Sequence, residues 1–428
     1  MKTFFAGRML ATARRWAGRV WRRSAAVGIL GLSVGLIPGA ASAQGPGRAD
    51  ALHTDPLNLD PQVREAFEHF YNLDYDGAQR IFTPVAQAHP GEPMAWNYLL
   101  LTEIFRALYH QDLLDTTYYA HDSFLSNKRD VDVPQASRNQ IESLTEKVIG
   151  MCDARLRSNP NDKNALFARG YARGLHASFM TLADHAFAAA ARQGYQARND
   201  SEAVLRIDPQ YVDAKMAIGI QQFAVASLPR FVRLMVGVMG VGGSKEKGLA
   251  LLRDAAMHGT VTNVQARTIL SLFLRHDGRY PEALQVQQGL AAQFPRDYLF
   301  RLEVANLTKD EGHGVEAIAA YKQVIADASK PGFFMDPRLQ LAYFGLADTQ
   351  RGYNDIAGAA GNYAQAAQQP NNSDWLRKRA ELDAGEMEDL LHHRPEAVHW
   401  YGAVLAPGGD QTQAEAARRF LHSPYTGK

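Results

Sequence analysis

From Asp60 onward, apolar residues recur at spacings of three and four, and the runs are punctuated by Asn, Asp, Gly and Pro. Such spacing puts an apolar stripe on one side of a helix, whereas a half-buried strand alternates strictly, and convincing alternation is almost absent. The pattern predicts helix throughout. Ala-rich stretches strengthen that reading, because alanine loses no side-chain entropy on joining a helix.

Two alanines 34 residues apart then set a period. Gly278-Arg279-Tyr280-Pro281-Glu282-Ala283, closing at Pro295, is matched by Gly312-His313-Gly314-Val315-Glu316-Ala317, followed by Tyr321. An earlier frame reads Tyr75, Ala78, Phe82 and Pro90, and Trp96 and Leu99 open the next. Gly170 and Gly219 each stand ten residues after a proline, and later frames hold Gly345, Ala359, Tyr363 and Pro370, then Gly385, Ala397, Tyr401 and Pro407. These residues resemble the tetratricopeptide repeat, a helix pair with small residues where its helices cross and a proline ending the second helix. The resemblance covers most of residues 59–408. It implies an all-α, right-handed solenoid of seven or eight stacked helix pairs, with Gln411–His422 as a capping helix. It also implies a binding scaffold in place of an enzyme.

The period fails in three places. Asp112 occupies a small-residue position, and the stretch 109–133 after it reads as an insertion rich in Tyr, Asp and His. Pro160 and Pro209 stand 49 residues apart, which calls for longer helices or inserted loops. The stretch 227–243 is a second insertion, strongly apolar over 231–242. The expected organisation is a leader at 1–43, a flexible linker at 44–58, N-terminal units over 59–160, extended irregular units over 161–262, regular units over 263–408, and a cap and tail over 409–428. Leu228-Pro229, Gly242-Gly243 and Gly248-Leu249-Ala250-Leu251-Leu252 are more loosely similar to the tetratricopeptide repeat protein 39 family and its yeast inclusion-body-clearance relatives, which are non-enzymatic helical-repeat proteins.

The leader changes the charge picture. Seven basic residues and no acidic one precede or accompany the apolar run Ala25–Ile37, and Ala41-Ser42-Ala43 offers a cleavage site, so a signal peptide cut after Ala43 is expected. Of 46 basic residues, removal of those seven leaves 39 against 45 acidic ones, a charge near −6. That balance gives no electrostatic footprint for nucleic acid. The expected location is a bacterial periplasm or envelope. Cys152 is the one cysteine and reads as a small buried helix residue.

Candidate chemistry is sparse. No H-E-x-x-H, G-x-S-x-G or phosphate-loop motif occurs, so neither a cofactor nor a metal is expected. First helices of tetratricopeptide units line a concave groove, which makes Asn97, Leu272, Arg275, Asn306, Arg379 and Glu386 candidates for holding a protein or peptide partner. Some relatives grip a peptide carboxylate with lysine and asparagine, but the matching positions here are Val63 and Phe67, so that specificity is not implied. Two rivals follow from the insertions: a lipid, small-ligand or enzymatic pocket built by them, or peripheral membrane contact through 231–242, which is too short to span a bilayer.

Overall fold

The computed structural model describes residues 52–119, 131–228, 242–408 and 411–427. Contacts divide the chain into two units, Met1–Gly47 and Arg48–Lys428, and every described residue lies in the second. There, seventeen α-helices and no strand occur among the described residues. They pair as α1 (Pro61–Phe70) with α2 (Tyr75–Ala88), α3 (Pro93–His110) with α4 (Gln135–Ser158), and α5 (Lys163–Leu182) with α6 (Phe187–Ile207). Next come α7 (Lys215–Ser227) with α8 (Lys245–His258), α9 (Asn263–His276) with α10 (Tyr280–Gln293), and α11 (Tyr298–Asp310) with α12 (Gly314–Ala328). The last pairs are α13 (Leu339–Gly352) with α14 (Ile356–Ala367) and α15 (Asp374–Leu390) with α16 (Arg394–Val404). Helix α17 (Gln411–His422) covers the end of the stack against α15 and α16, burying Ala417 and Phe420.

Local chemistry explains why each hairpin forms where it does. Asp60, Asp74, Asp162, Ser244, Asp297 and Asp355 cap helix N-termini with their side chains. Inside six hairpins, the residue two places before the second helix has positive φ: Leu73, His185, Gly278, Gly312, Asn354 and His392. A left-handed residue there ends the first helix and turns the chain sharply back. Asp112, φ 56°, holds the same place after α3, but no helix starts at residue 114. The insertion therefore begins at a standard hairpin turn and postpones α4 to Gln135. The 49-residue step has a simpler cause: α5 and α6 are 20 and 21 residues long, against 12 to 15 from α9 to α14.

Packing follows the small residues. Ala78, Ala283, Ala317, Ala359 and Ala397 are fully buried on second helices. Four positions after the last three stand Tyr321, Tyr363 and Tyr401, whose hydroxyls reach Asn306 at 2.6 Å, Asp348 at 2.5 Å and Asp389 at 2.9 Å on the first helices. Gly219 on α7 faces Gly248 on α8, and a Cβ on Gly248 would lie 2.8 Å from the Gly219 carbonyl oxygen. First helices of adjacent units also touch one another, α3 with α5, α5 with α7, α11 with α13 and α13 with α15.

That inner layer is not open to solvent along its length. One hydrophobic core runs from Leu57, Tyr71 and Tyr98 to Phe294, Phe300, Leu341 and Leu376. Tyr71 packs on Phe294 with ring centres 5.2 Å apart, and the Tyr109 hydroxyl donates to the Asp336 carbonyl at 2.8 Å. The first hairpins thus lie against units five to seven. Residues 52–58, the described part of the expected 44–58 linker, are tied to the repeats: His53 pairs with Asp208 at 2.9 Å, Thr54 donates to Asp213 and Tyr98 donates to Asn58 at 2.7 Å. The leader 1–43 and all of the apolar segment 231–242 except Gly242 lie outside the described residues. Among the described residues no helix is long and apolar enough to cross a membrane.

Candidate functional site

All six candidate groove residues sit on first helices, but four are buried: Asn97, Arg275, Asn306 and Glu386. Leu272 and Arg379 are half-buried. The expectation of an open groove surface is corrected for the buried four, and the reason is that the chain covers its own inner face. Asn97 donates to the Ala168 carbonyl on α5 at 2.9 Å and serves the contact between two units.

Arg275 and Asn306 belong to one constellation, which also includes residues that the sequence did not single out. Arg275, on α9, meets Glu303 at 3.1 Å and Asp310 at 2.6 Å, both on α11. Asn306 donates to Glu303 at 3.1 Å and accepts from Tyr321 at 2.6 Å. Onto this cluster lies a strap, the first part of the insertion, in which Thr116–Tyr119 form a 3-10 helix. Arg275 donates to the Thr116 hydroxyl at 2.7 Å and to Thr117 at 3.4 Å, Thr116 donates to Glu303, and Asn306 donates to Asp115 at 3.3 Å. The strap is anchored upstream by Asp112, which accepts from Arg338 at 2.8 Å, Gln340 at 3.0 Å and the Ser373 amide at 3.2 Å. Leu272, 34 residues before Asn306, occupies the equivalent place one unit earlier. Glu303 was within reach of the sequence, since it precedes Asn306 by one helical turn. Asp115, Thr116 and Thr117 were not, because nothing periodic marks their landing place.

Burial dominates the electrostatics. It pushes the Glu303 carboxyl upward against the pull of Arg275. Burial also opposes the charge on Arg275, yet Glu303, Asp310 and Asp115 together hold the guanidinium protonated more firmly than usual. The second cluster joins Arg379 and Glu386 through Asp383, with Arg379 2.8 Å from Asp383 and Arg351 3.6 Å from Glu386. Asp383 is wholly buried, with one oxygen lacking a hydrogen-bond partner, and burial pushes its pKa up to about 7. Burial likewise pushes Asp297 to about 8 and Asp55 to about 6. Among the described residues no three His, Cys, Asp or Glu side chains gather as metal ligands.

These raised values have a consequence for stability. Carboxyls of the unfolded chain ionise near 3.8, so between that pH and about 8 the folded chain holds protons that the unfolded chain has released. The stabilisation is complete below about pH 4 and is lost as pH climbs through the folded values. Asp208 and Asp327 act in the opposite sense, since hydrogen bonds and cations hold them low despite burial, and their contribution is lost only in stronger acid. Urea unfolding is expected to show a higher midpoint at about pH 5.5 than at about pH 8, with Asp383→Asn narrowing the gap. A midpoint that is equal or higher at the alkaline value contradicts this assignment.

No protein-family model matches the sequence, and no curated protein matches it. Among solved structures, a tetratricopeptide repeat protein from Parabacteroides merdae is similar over 76% of this chain and 99% of its own, at 13% identity and a TM-score of 0.34. Yeast Tom70 is similar over 86% and 95%, at 10% identity and a TM-score of 0.40. Human IFIT1, as a dimer with a capped RNA, is similar over 87% and 89%, at 10% identity and a TM-score of 0.41. Likeness at this level carries no information about a partner. The class rests on the hairpins described above, stacked unit on unit with small residues at the helix crossings: this is an all-α protein of tetratricopeptide-like helical repeats.

Proposed function

We propose that this chain is an exported, non-enzymatic scaffold that binds a segment of a partner protein along the inner face of its first helices. The observation that supports this reading is the strap itself. Arg275, Glu303 and Asn306 already hold a stretch of polypeptide, Asp115 and the start of the 3-10 helix Thr116–Tyr119, by side-chain contacts, on the helices where the repeat architecture places a partner. Polar groups there are committed to one another and to the strap, an arrangement suited to recognition and not to proton transfer or nucleophilic attack. Surface hollows such as that of about 530 Å³ beside Pro160, Leu166, Ala203 and Ile207 lie away from this constellation and gather no reactive groups.

The test places a photo-reactive side chain at Leu272, one turn before Arg275, and at Val315, which is 69% exposed on α12, in cells that make the protein. Discrete adducts with a protein at Leu272 alone are expected. The same adducts at both positions, or none at either, rule the reading out. N-terminal sequencing of the same material is expected to begin at Gln44, and a chain beginning at Met1 ends the export proposal.

A further inference from the structure

The hollow beside Leu166, Ala203 and Ile207 has a neighbour. A second, of about 370 Å³, opens on the other flank of α6, over Leu205 of α6, Ile218 of α7 and Leu251 of α8. Arg206 borders both. It comes three residues after Ala203 and four after Glu202, spacings that set it on the ridge of α6 between the two flanks. The floors are apolar, and Ile207 leaves 39% of its surface exposed there.

The rim is cationic and unpaired. Arg206 and, at the second hollow, Lys247 are exposed, and neither meets a carboxylate among the described residues. Glu202, one turn before Arg206, is held instead by Arg198 at 2.7 and 3.0 Å. A matching occupant carries negative charge between two apolar groups. A single acyl chain would have to cross the guanidinium to fill both hollows, whereas side chains on a helix meet the demand directly. A helix with its side chains is about 10–12 Å across, which separates the hollows on either flank of α6 by a similar span. Residues i and i+7 of a second helix stand about 10 Å apart, with i+3 and i+4 between them on the same face.

We propose that α6 and its two flanking hollows dock an amphipathic helix of a partner protein, which seats apolar side chains at i and i+7 in the hollows and presents acidic side chains at i+3 and i+4 to Arg206 and Lys247. This surface lies apart from the strap and its receptor, so its failure leaves the Leu272 cross-link and the scaffold reading untouched. The probe is a synthetic helical peptide with leucine at i and i+7, glutamate at i+3 and i+4, and alanine and glutamine elsewhere, labelled for fluorescence anisotropy and titrated with the full mature chain. The unaltered chain is expected to bind it, and Arg206→Glu with Lys247→Glu, at unchanged circular dichroism, is expected to lose about tenfold in affinity. Replacing both glutamates of the peptide by lysine is expected to invert the ranking, so that the charge-reversed chain binds the more tightly.

A glutamate peptide that does not bind, affinities within about twofold of each other for the two chains, or a lysine peptide that keeps the first ranking would each overturn the proposal. Should the charge-reversed chain lose its helical signal, Arg206→Gln with Lys247→Gln is read in its place, and an affinity within about twofold of the unaltered chain overturns the proposal equally. Binding of dodecanoate without binding of the peptide would also sink it, since the hollows would then hold an acyl chain.

Discussion

Arg275→Ala is expected to destabilise the folded chain by about 3–5 kcal/mol, read as a lower urea midpoint with an unchanged slope. The guanidinium is 1% exposed, and Glu303, 8% exposed, meets no other cation in the constellation. Removing Arg275 strands a carboxylate out of water, and a stranded charge costs far more than a hydrogen bond forgone. Asp310, 20% exposed, can turn toward solvent, so Glu303 carries most of the penalty. Adding Glu303→Gln is therefore expected to recover more than half of the loss, since a neutral amide can stay buried and still accept from Thr116. A loss below about 1 kcal/mol, or a double variant no better than the single one, would show that the cluster is solvated in a way its burial denies.

The second large effect comes from the helix crossing in unit four. Gly248→Ala is expected to destabilise by about 1–3 kcal/mol, because the new Cβ would stand 2.8 Å from the Gly219 carbonyl oxygen and from the Phe223 amide nitrogen. Both are backbone atoms, which cannot swing aside as a side-chain tip can. Gly194→Ala on α6 supplies the opposite sign, since nothing lies within 4 Å of its added carbon and alanine is the better helix former by about 0.5–1 kcal/mol. Thermal midpoints of the two variants should move in opposite directions. Movement in the same direction would refute the close-approach account of Gly248.

The parts of the fold that repeat were legible because each rests on nearby residues. Ala283 and Ala317 mark helix crossings at one period, and Pro90, Pro160 and Pro295 mark the ends of second helices. Closure of the inner face left no such trace. Tyr71 meets Phe294, and Asp112 meets Arg338, through contacts that occur once and have no counterpart 34 residues away. Arg275 was found by position and misjudged in exposure. A charged residue reads as solvent-facing by default, and the acids that permit its burial lie 28 and 35 residues downstream. Asp112 was noticed as the wrong residue for a helix crossing. The structure makes it instead a turn residue whose carboxylate anchors the strap.

The contact between Tyr71 and Phe294 also sets an order of events. In a plain array each hairpin can settle as soon as its neighbour has been made. Here the surface that covers Tyr71 emerges 223 positions later, roughly ten to forty seconds of synthesis at ordinary elongation rates. Until then the aromatic flank of α1, with Phe67, Phe70 and Tyr71 in mutual contact, has nothing from the later units to lie against. The junction that completes the molecule thus holds its first hairpin unfinished during translation. That delay suits a chain which, on the proposed export route, must be threaded across a membrane before it folds.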